Sequence, residues 1–253
     1  MYYTITIAIL LILNIVILIL NRKTTNWKIL ISWLFICCPF SWIEFSSMNF
    51  ADPSMEAWKF SKEHILGVWF LGMTIEDFLF APGCGILFFY FYKWIDRKIN
   101  YSSSQLSKVT VLVFHALILM FFLVWGGQFG QYQAFRMAIG LMCIIYCWDQ
   151  WDLRQFWAVM FGIFIIAGLW DIWANSLTNP QQWFYRYVNT LQYSNVYAKW
   201  PFWWFKIGKG WFPLSIFPYY YISGGVFTYG VLNALIKLFK TKVYKLRSNY
   251  ARP

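Results

Sequence analysis

Long apolar runs alternate with short polar or basic segments along the whole chain. A helix that crosses a bilayer takes about 20 apolar residues. On that measure the pattern predicts seven spans: 3–20, 29–47, 64–92, 109–126, 134–148, 156–175 and 211–236. The first run, Met1–Leu20, is aliphatic, without a basic leader or a small-residue cleavage site, and reads as a retained helix. The third run contains Pro82, Gly83 and Gly85, which predict a kink or break. The stretch 176–210 is too polar to span. It carries Trp183-Phe-Tyr-Arg-Tyr187 and Trp200-Pro-Phe-Trp-Trp-Phe205, which predict an interfacial helix or lid over a cavity mouth, or an ordinary aromatic belt.

Composition agrees with spans. Only 12% of the 253 residues are charged, half of what a soluble domain carries at about 25%. The predicted fold class is all-α, a polytopic membrane protein in one integral-membrane domain over 1–253. Charge placement orients it. With the N-terminus outside, the inner segments 21–28, 93–108, 149–155 and 237–253 hold 14 of the 21 basic residues. This predicts a cytoplasmic C-terminus in a cell inner membrane. Residues 237–253 hold six basic residues and no acid, a tail suited to anionic lipid. The rest of the chain has no basic face, so nucleic acid is not an expected partner. The reading leaves a homo- or hetero-oligomer open.

The 17 Trp, 17 Tyr and 26 Phe exceed what interfacial belts require. Many must line an interior, where π-faces pack apolar ligands or face cations. The cysteines, Cys37, Cys38, Cys84, Cys143 and Cys147, lie in or beside apolar runs and read as packing residues. Histidine occurs only at 64 and 115, so no zinc-type ligand set is seen and no metal or cofactor is expected. His64 reads as a headgroup-level residue and His115 as a satisfied interior one.

Four of the ten acids fall within or at the ends of predicted spans: Glu44, Glu76, Asp77 and Asp171. Each has an aromatic residue within two positions. A charge at membrane depth costs roughly 2.5–3.5 kcal/mol on insertion scales, and such acids are functional by default. Desolvation disfavours the carboxylate anion, and neighbouring acids oppose each other's ionisation. One member of the Glu76/Asp77 pair is therefore expected to be a neutral acid. Among aromatic rings such an acid is suited to protonating an alkene. The rings would stabilise the carbocation, and the conjugate carboxylate would take a proton back. The competing role for the pair is a structural hydrogen-bonded or ion-paired one.

The two halves of the chain echo each other. The first, 1–98, runs Trp42-Ile-Glu44, Trp58-Lys-Phe60, Ile65-Leu-Gly67, Thr74-Ile-Glu-Asp-Phe78. The second, 109–236, runs Trp170-Asp171, Trp183-Phe184, Ile207-Gly208, Pro213-Leu-Ser-Ile-Phe217. Internal repeats are common in membrane proteins with midplane sites.

The order Trp58-Lys-Phe60, Leu66-Gly67, Thr74-Ile-Glu-Asp-Phe-Leu-Phe80 resembles the small, flavin-independent integral-membrane lycopene cyclase family. That family carries Pro-x-Glu-Glu/Asp followed by aromatics, in each of two repeats. The resemblance covers residues 1–95 well and the remainder faintly. It implies a membrane isomerase that closes lycopene end groups into rings without net redox change or a cofactor, on a hydrophobic polyene or isoprenoid substrate. Glu76 and Asp77 map onto the motif carboxylates, Glu44 onto the upstream acid and Asp171 onto the second repeat's acid. Trp42, Trp69, Phe78 and Trp170 would line the cavity or face the cation. The chain departs from the pattern at Thr74, where the first motif has Pro, and at Ser215 and Ile216, which replace both second-motif carboxylates. Either the first pair suffices, or Asp171 compensates, or the substrate differs, or activity is lost.

Two other readings stand beside this one. Asp149 and Asp152 share a helix face and would hold Mg²⁺ on a diphosphate, with Asp171 and Asn175 as a second cluster, as in membrane prenyltransferases. Alternatively the chain is a non-enzymatic lipid- or partner-binding membrane protein, whose acids would pair with Lys or Arg.

Overall fold

A computed structural model describes residues 2–50, 58–60, 65–96, 105–125, 127–172, 185–187, 204–207, 210–213 and 222–250. Within these, side-chain surroundings are described for 3–43, 65–95, 105–124, 132–167 and 222–239. The described residues are all-α in class, with seven long helices and three small two-stranded β pieces. The first half holds α1 (Tyr2–Asn21), α2 (Trp27–Phe50), strands β1 (Trp58–Phe60), β2 (Trp69–Phe70) and β3 (Met73–Thr74), and α3 (Ile75–Asp96). Next comes α4 (Gln105–Trp125). The second half holds α5 (Gly127–Tyr146), α6 (Leu153–Ile172), strands β4 (Tyr185–Tyr187), β5 (Trp204–Ile207) and β6 (Gly210–Pro213), and α7 (Ser223–Tyr250). Among the described elements, the order helix, helix, single strand, hairpin, helix thus occurs twice, once on each side of α4. The single strands of the two halves pair antiparallel, Trp58 opposite Tyr187 and Phe60 opposite Tyr185.

Three helical stretches, Tyr3–Asn21, Ile75–Ile95 and Gln105–Val124, are long and apolar enough to cross a membrane, with shorter apolar stretches at Trp27–Ile43, Tyr132–Tyr146 and Leu153–Ala167. Their outer faces have the chemistry of lipid contact. On α1, Ile5, Ile9, Ile12, Val16 and Ile19 stand exposed at steps of three and four. On α4, Leu106, Val109, Val113, Leu117, Met120 and Val124 do the same. Continuous apolar stripes of this size are not left in water. The chain is an integral membrane protein.

The elements differ from the sequence pattern in four places. The run 64–92 is not helical from its start: Gly67 (φ 73°) and a tight hairpin at Leu71 (φ 49°) and Gly72 (φ 76°) precede α3. A two-residue loop of type I′ needs positive φ at both central positions, which glycine supplies freely and leucine only at a cost. The span expected at 211–236 is shifted to Ser223–Tyr250, so most of the basic tail continues α7. Helix α5 begins at Gly127, because its polar first turns hide its start from hydropathy. Within 176–210 the described residues form strands and no helix; the rest of that stretch lies outside the described residues.

Hydrogen bonds between helices give their directions. Tyr3 meets Asp77, Tyr132 meets the Phe40 carbonyl and Ser223 meets Gln133, so α1, α3, α5 and α7 all start at one end, here the Asp77 end. At the opposite end Lys93 meets Thr24, Lys108 meets the Trp148 carbonyl and Lys237 meets the Tyr146 carbonyl. The seven described helices alternate in direction, and the six described strands lie in connections at the Asp77 end.

Helix α7 is the centre of the core. Every residue from Ser223 to Asn233 is buried, and Phe227 and Tyr229 are fully enclosed with Phe156 and Met137. It touches α5 backbone to backbone. A Cβ built on Gly230 would lie 2.2 Å from the Gly140 carbonyl oxygen, and one on Gly140 would lie 2.6 Å from that of Val226. Small residues are what allow membrane helices to approach this closely. By contrast, a Cβ on Gly224 would meet only the Arg136 guanidinium, at 3.8 Å. Gly230→Ala is therefore expected to destabilise the protein by about 1–3 kcal/mol, as overpacked cores do, while Gly224→Ala leaves it nearly unchanged. Thermal unfolding in detergent checks this; equal midpoints for the two variants would contradict the close α5–α7 contact.

Candidate functional site

Thr74 starts α3. Its side-chain oxygen accepts from the Asp77 amide at 3.2 Å, the N-cap bond that satisfies one of the helix's free N–H groups. Glu76 and Asp77 therefore fall in the first turn, where the helix dipole favours negative charge. Both are buried, Glu76 at 1% and Asp77 at 3% exposure. Their partners come from the head of α1 and from the segment ahead of α3. The Tyr3 hydroxyl donates to Asp77 Oδ1 at 2.6 Å, and the Thr4 hydroxyl donates to Glu76 Oε1 at 2.6 Å. The Leu66 amide donates to the same Glu76 oxygen at 2.7 Å. The second oxygens, Glu76 Oε2 and Asp77 Oδ2, are buried with no hydrogen-bond partner. Among the described residues, no Lys or Arg pairs with either acid.

Aromatic rings surround the turn. Trp42 stacks on Phe78 with centroids 4.6 Å apart and planes 7° apart, and Phe70 meets Phe78 edge-on at 5.0 Å. Trp42 also has a backbone task. Pro82 has no N–H to offer the carbonyl four residues earlier, that of Phe78. The Trp42 indole donates to that carbonyl at 3.0 Å. Trp69, expected to line a cavity, is instead 53% exposed on the β2–β3 hairpin, in the apolar run Leu66, Val68, Trp69, Phe70 and Leu71.

The backbones carrying Glu44 and Asp171 lie near the ends of α2 and α6 that point to the Asp77 end. The side chains of Glu44, Trp170 and Asp171 are outside the described residues, as are His64, Asn175, Ser215 and Ile216. His115 is buried, its Nδ1 is 2.7 Å from the Val111 carbonyl and its ring packs on Phe156 and Trp157, which is an interior packing role. Cys37, Cys38 and Cys147 are buried, and all five cysteines are free thiols.

The diphosphate arrangement does not assemble. Asp152 Oδ1 accepts from the Arg154 and Gln155 amides at 2.8 and 3.1 Å, capping α6. Asp171 is 19 positions further along that helix, about 28 Å away at 1.5 Å per residue. Asp149 and Asp152 thus lie at the opposite end of the bundle from Asp171 and cannot share one metal–diphosphate site with it.

The sequence reading does not single out Tyr3 or Thr4, and it marks Thr74 only as a departure from the family motif. The signals were present. Thr74-x-x-Asp77 ahead of an apolar run is a helix-start pattern, and Tyr2-Tyr3-Thr4 is a polar patch on an otherwise aliphatic helix. No known protein family matches the chain, and no characterised protein or solved structure matches it at a significant level.

Tyr3→Phe removes the phenol that donates to Asp77 Oδ1 and is expected to cost about 1–3 kcal/mol, the range for a buried polar group left unsatisfied. Combined with Asp77→Asn in a double-mutant cycle in detergent, it should show a coupling of about 0.5–3 kcal/mol; strictly additive effects would mean that the two side chains do not interact.

Proposed function

We propose that this protein is a membrane isoprenoid cyclase, acting on a lycopene-like polyene by proton-initiated, redox-neutral ring closure. One observation carries the reading: two buried carboxyls, with no cationic partner among the described residues, each keep one oxygen without a hydrogen bond inside an aromatic surround. A buried carboxyl in that state has a proton to give and little water to compete for it. Phe78, Trp42 and Phe70 are the nearest described rings for a developing cation. In the reaction a carboxyl O–H bond breaks as a C–H bond forms on a terminal alkene. The cation closes the ring, and a ring carbon then returns a proton to the carboxylate.

The lycopene cyclase resemblance gives the substrate class. The repeated element order on either side of α4 supports two related halves, and so does the antiparallel pairing of β1 with β4. Seven alternating helices support seven spans, with the helices shorter in apolar length held against the longer ones. Arg22, Lys23, Lys93, Lys108, Arg154 and Lys237 lie at the end opposite Asp77. By the positive-inside rule that end faces the cytoplasm, and the acids lie toward the outer side. Glu44 and Asp171 act as electrostatic partners in this reading, since their helices end on the acid side.

The test is expression in lycopene-accumulating cells followed by pigment analysis. The expected result is a cyclised carotenoid, with Asp77→Asn lowering conversion by about 100-fold or more, the scale of a lost general acid. Asp149→Asn is expected to convert normally, and a chelator is expected to have no effect. Unchanged lycopene with well-expressed, membrane-inserted protein would remove lycopene as the substrate. Full conversion by both Glu76→Gln and Asp77→Asn would remove the site.

A further inference from the structure

The two acids are not equivalent. Glu76 Oε1 receives a hydroxyl and a backbone N–H fixed by the fold, whereas the Asp77 carboxyl is met, among the described residues, by side-chain hydroxyls, those of Tyr3 at Oδ1 and Thr74. A donor that a carboxyl accepts favours its ionised form, most of all one fixed by the backbone, and two adjacent anions with no counter-cation among the described residues disfavour each other. The first turn of α3 supports a single negative charge through its dipole. We propose that Asp77 Oδ2 carries the proton of the site, that Glu76 is its ionised partner, and that Tyr3 and Thr4 are positioning residues that set this division. The inference rests on the cyclase reading for its purpose but not for its geometry.

The consequences are specific to atoms. Tyr3 ties down Asp77 Oδ1, so the proton resides on Oδ2, which has no hydrogen-bond partner to release before it can be transferred. In the reaction the Asp77 Oδ2–H bond breaks and the alkene gains the proton. The later deprotonation of the ring returns a proton to the same carboxylate, so the enzyme ends as it began. Glu76 stays anionic throughout and faces the developing positive charge, an attraction that water-excluded surroundings strengthen. Thr4 and the Leu66 amide hold that anion in place without neutralising it.

Infrared spectroscopy of the full-length protein in lipid nanodiscs at neutral pH tests the division directly, with ¹³C in the side-chain carboxyls of either Asp or Glu. The expected spectrum contains the carbonyl stretch of a neutral carboxyl that moves with labelled Asp, does not move with labelled Glu, and is absent from Asp77→Asn. In Tyr3→Phe the band should persist at higher frequency, because its carbonyl has lost a donor. A purely structural Tyr3 would leave the frequency unchanged, and that result would overturn its positioning role. A band that follows labelled Glu, no neutral-carboxyl band at all, or an Asp-sensitive band that survives Asp77→Asn would overturn the assignment. The labelled native protein and Tyr3→Phe decide the matter even where Asp77→Asn does not fold. No pigment is involved, so a spectrum as expected beside unconverted lycopene would retain the proton's location and reject only the substrate.

Discussion

Inside a bilayer a polar group has no water to turn to, and the protein must meet every such need itself. Helix α3 concentrates those needs. It carries two carboxyls at its head, a carbonyl stripped of its partner by Pro82, and the Gly83 and Gly85 carbonyls beyond. The neighbouring helices supply donors at matching heights. From α1 come Tyr3, Thr4 and, three turns later, Asn14, which donates to the Gly83 carbonyl at 3.0 Å. From α2 come Trp42 to the Phe78 carbonyl and Trp33 to the Gly85 carbonyl, at 3.0 and 2.8 Å. Apolar packing alone would let these helices slide or rotate, because lipid is as good a partner as leucine. The bonds fix register, and so they fix the acids.

The second half keeps the arrangement and changes the chemistry. Helices α5 and α7 run parallel, as α1 and α3 do, and a hydrogen bond also joins their heads. There the partners are Gln133 and Ser223, both buried and both neutral. The α5–α7 pair is drawn together by glycine contact, where the α1–α3 pair is tied by donors to acids. With neutral groups at their heads, α5 and α7 are free to pack as a core, and the first turns of α7 do so.

Much of this was legible in the chain because the membrane is a demanding solvent. Apolar run length marks the neighbourhood of each described helix, though not every start, and the acid pair in an apolar run draws attention to the head of α3, since its cost demands an explanation. What hydropathy could not give was anything set by partners distant in sequence. Tyr3 and Thr4 belong to the site only because α1 and α3 lie parallel, and no local pattern states that. Trp42 reads from the sequence as a cavity ring, and its further task, donating to the Phe78 carbonyl that Pro82 leaves free, depends on a partner 36 positions away. Trp69 reads as inward from its neighbours in sequence, but Gly67, Leu71 and Gly72 fold that segment into a hairpin that turns the ring out. The start of α7 was misplaced because Trp211 and Phe212 are as apolar in a strand as in a helix.

The burial of Ser223–Asn233 on all sides also bears on the order of assembly. A polypeptide enters the membrane from its N-terminal helices onward, and α1, α2 and α3 can lock together as soon as they are present, through bonds made among themselves. The middle of the bundle waits for a segment translated after the other six helices. Until then the space later taken by Phe227 and Tyr229 is a gap that lipid or the insertion machinery must occupy. The newborn protein therefore has its acid pair in place well before its interior is sealed.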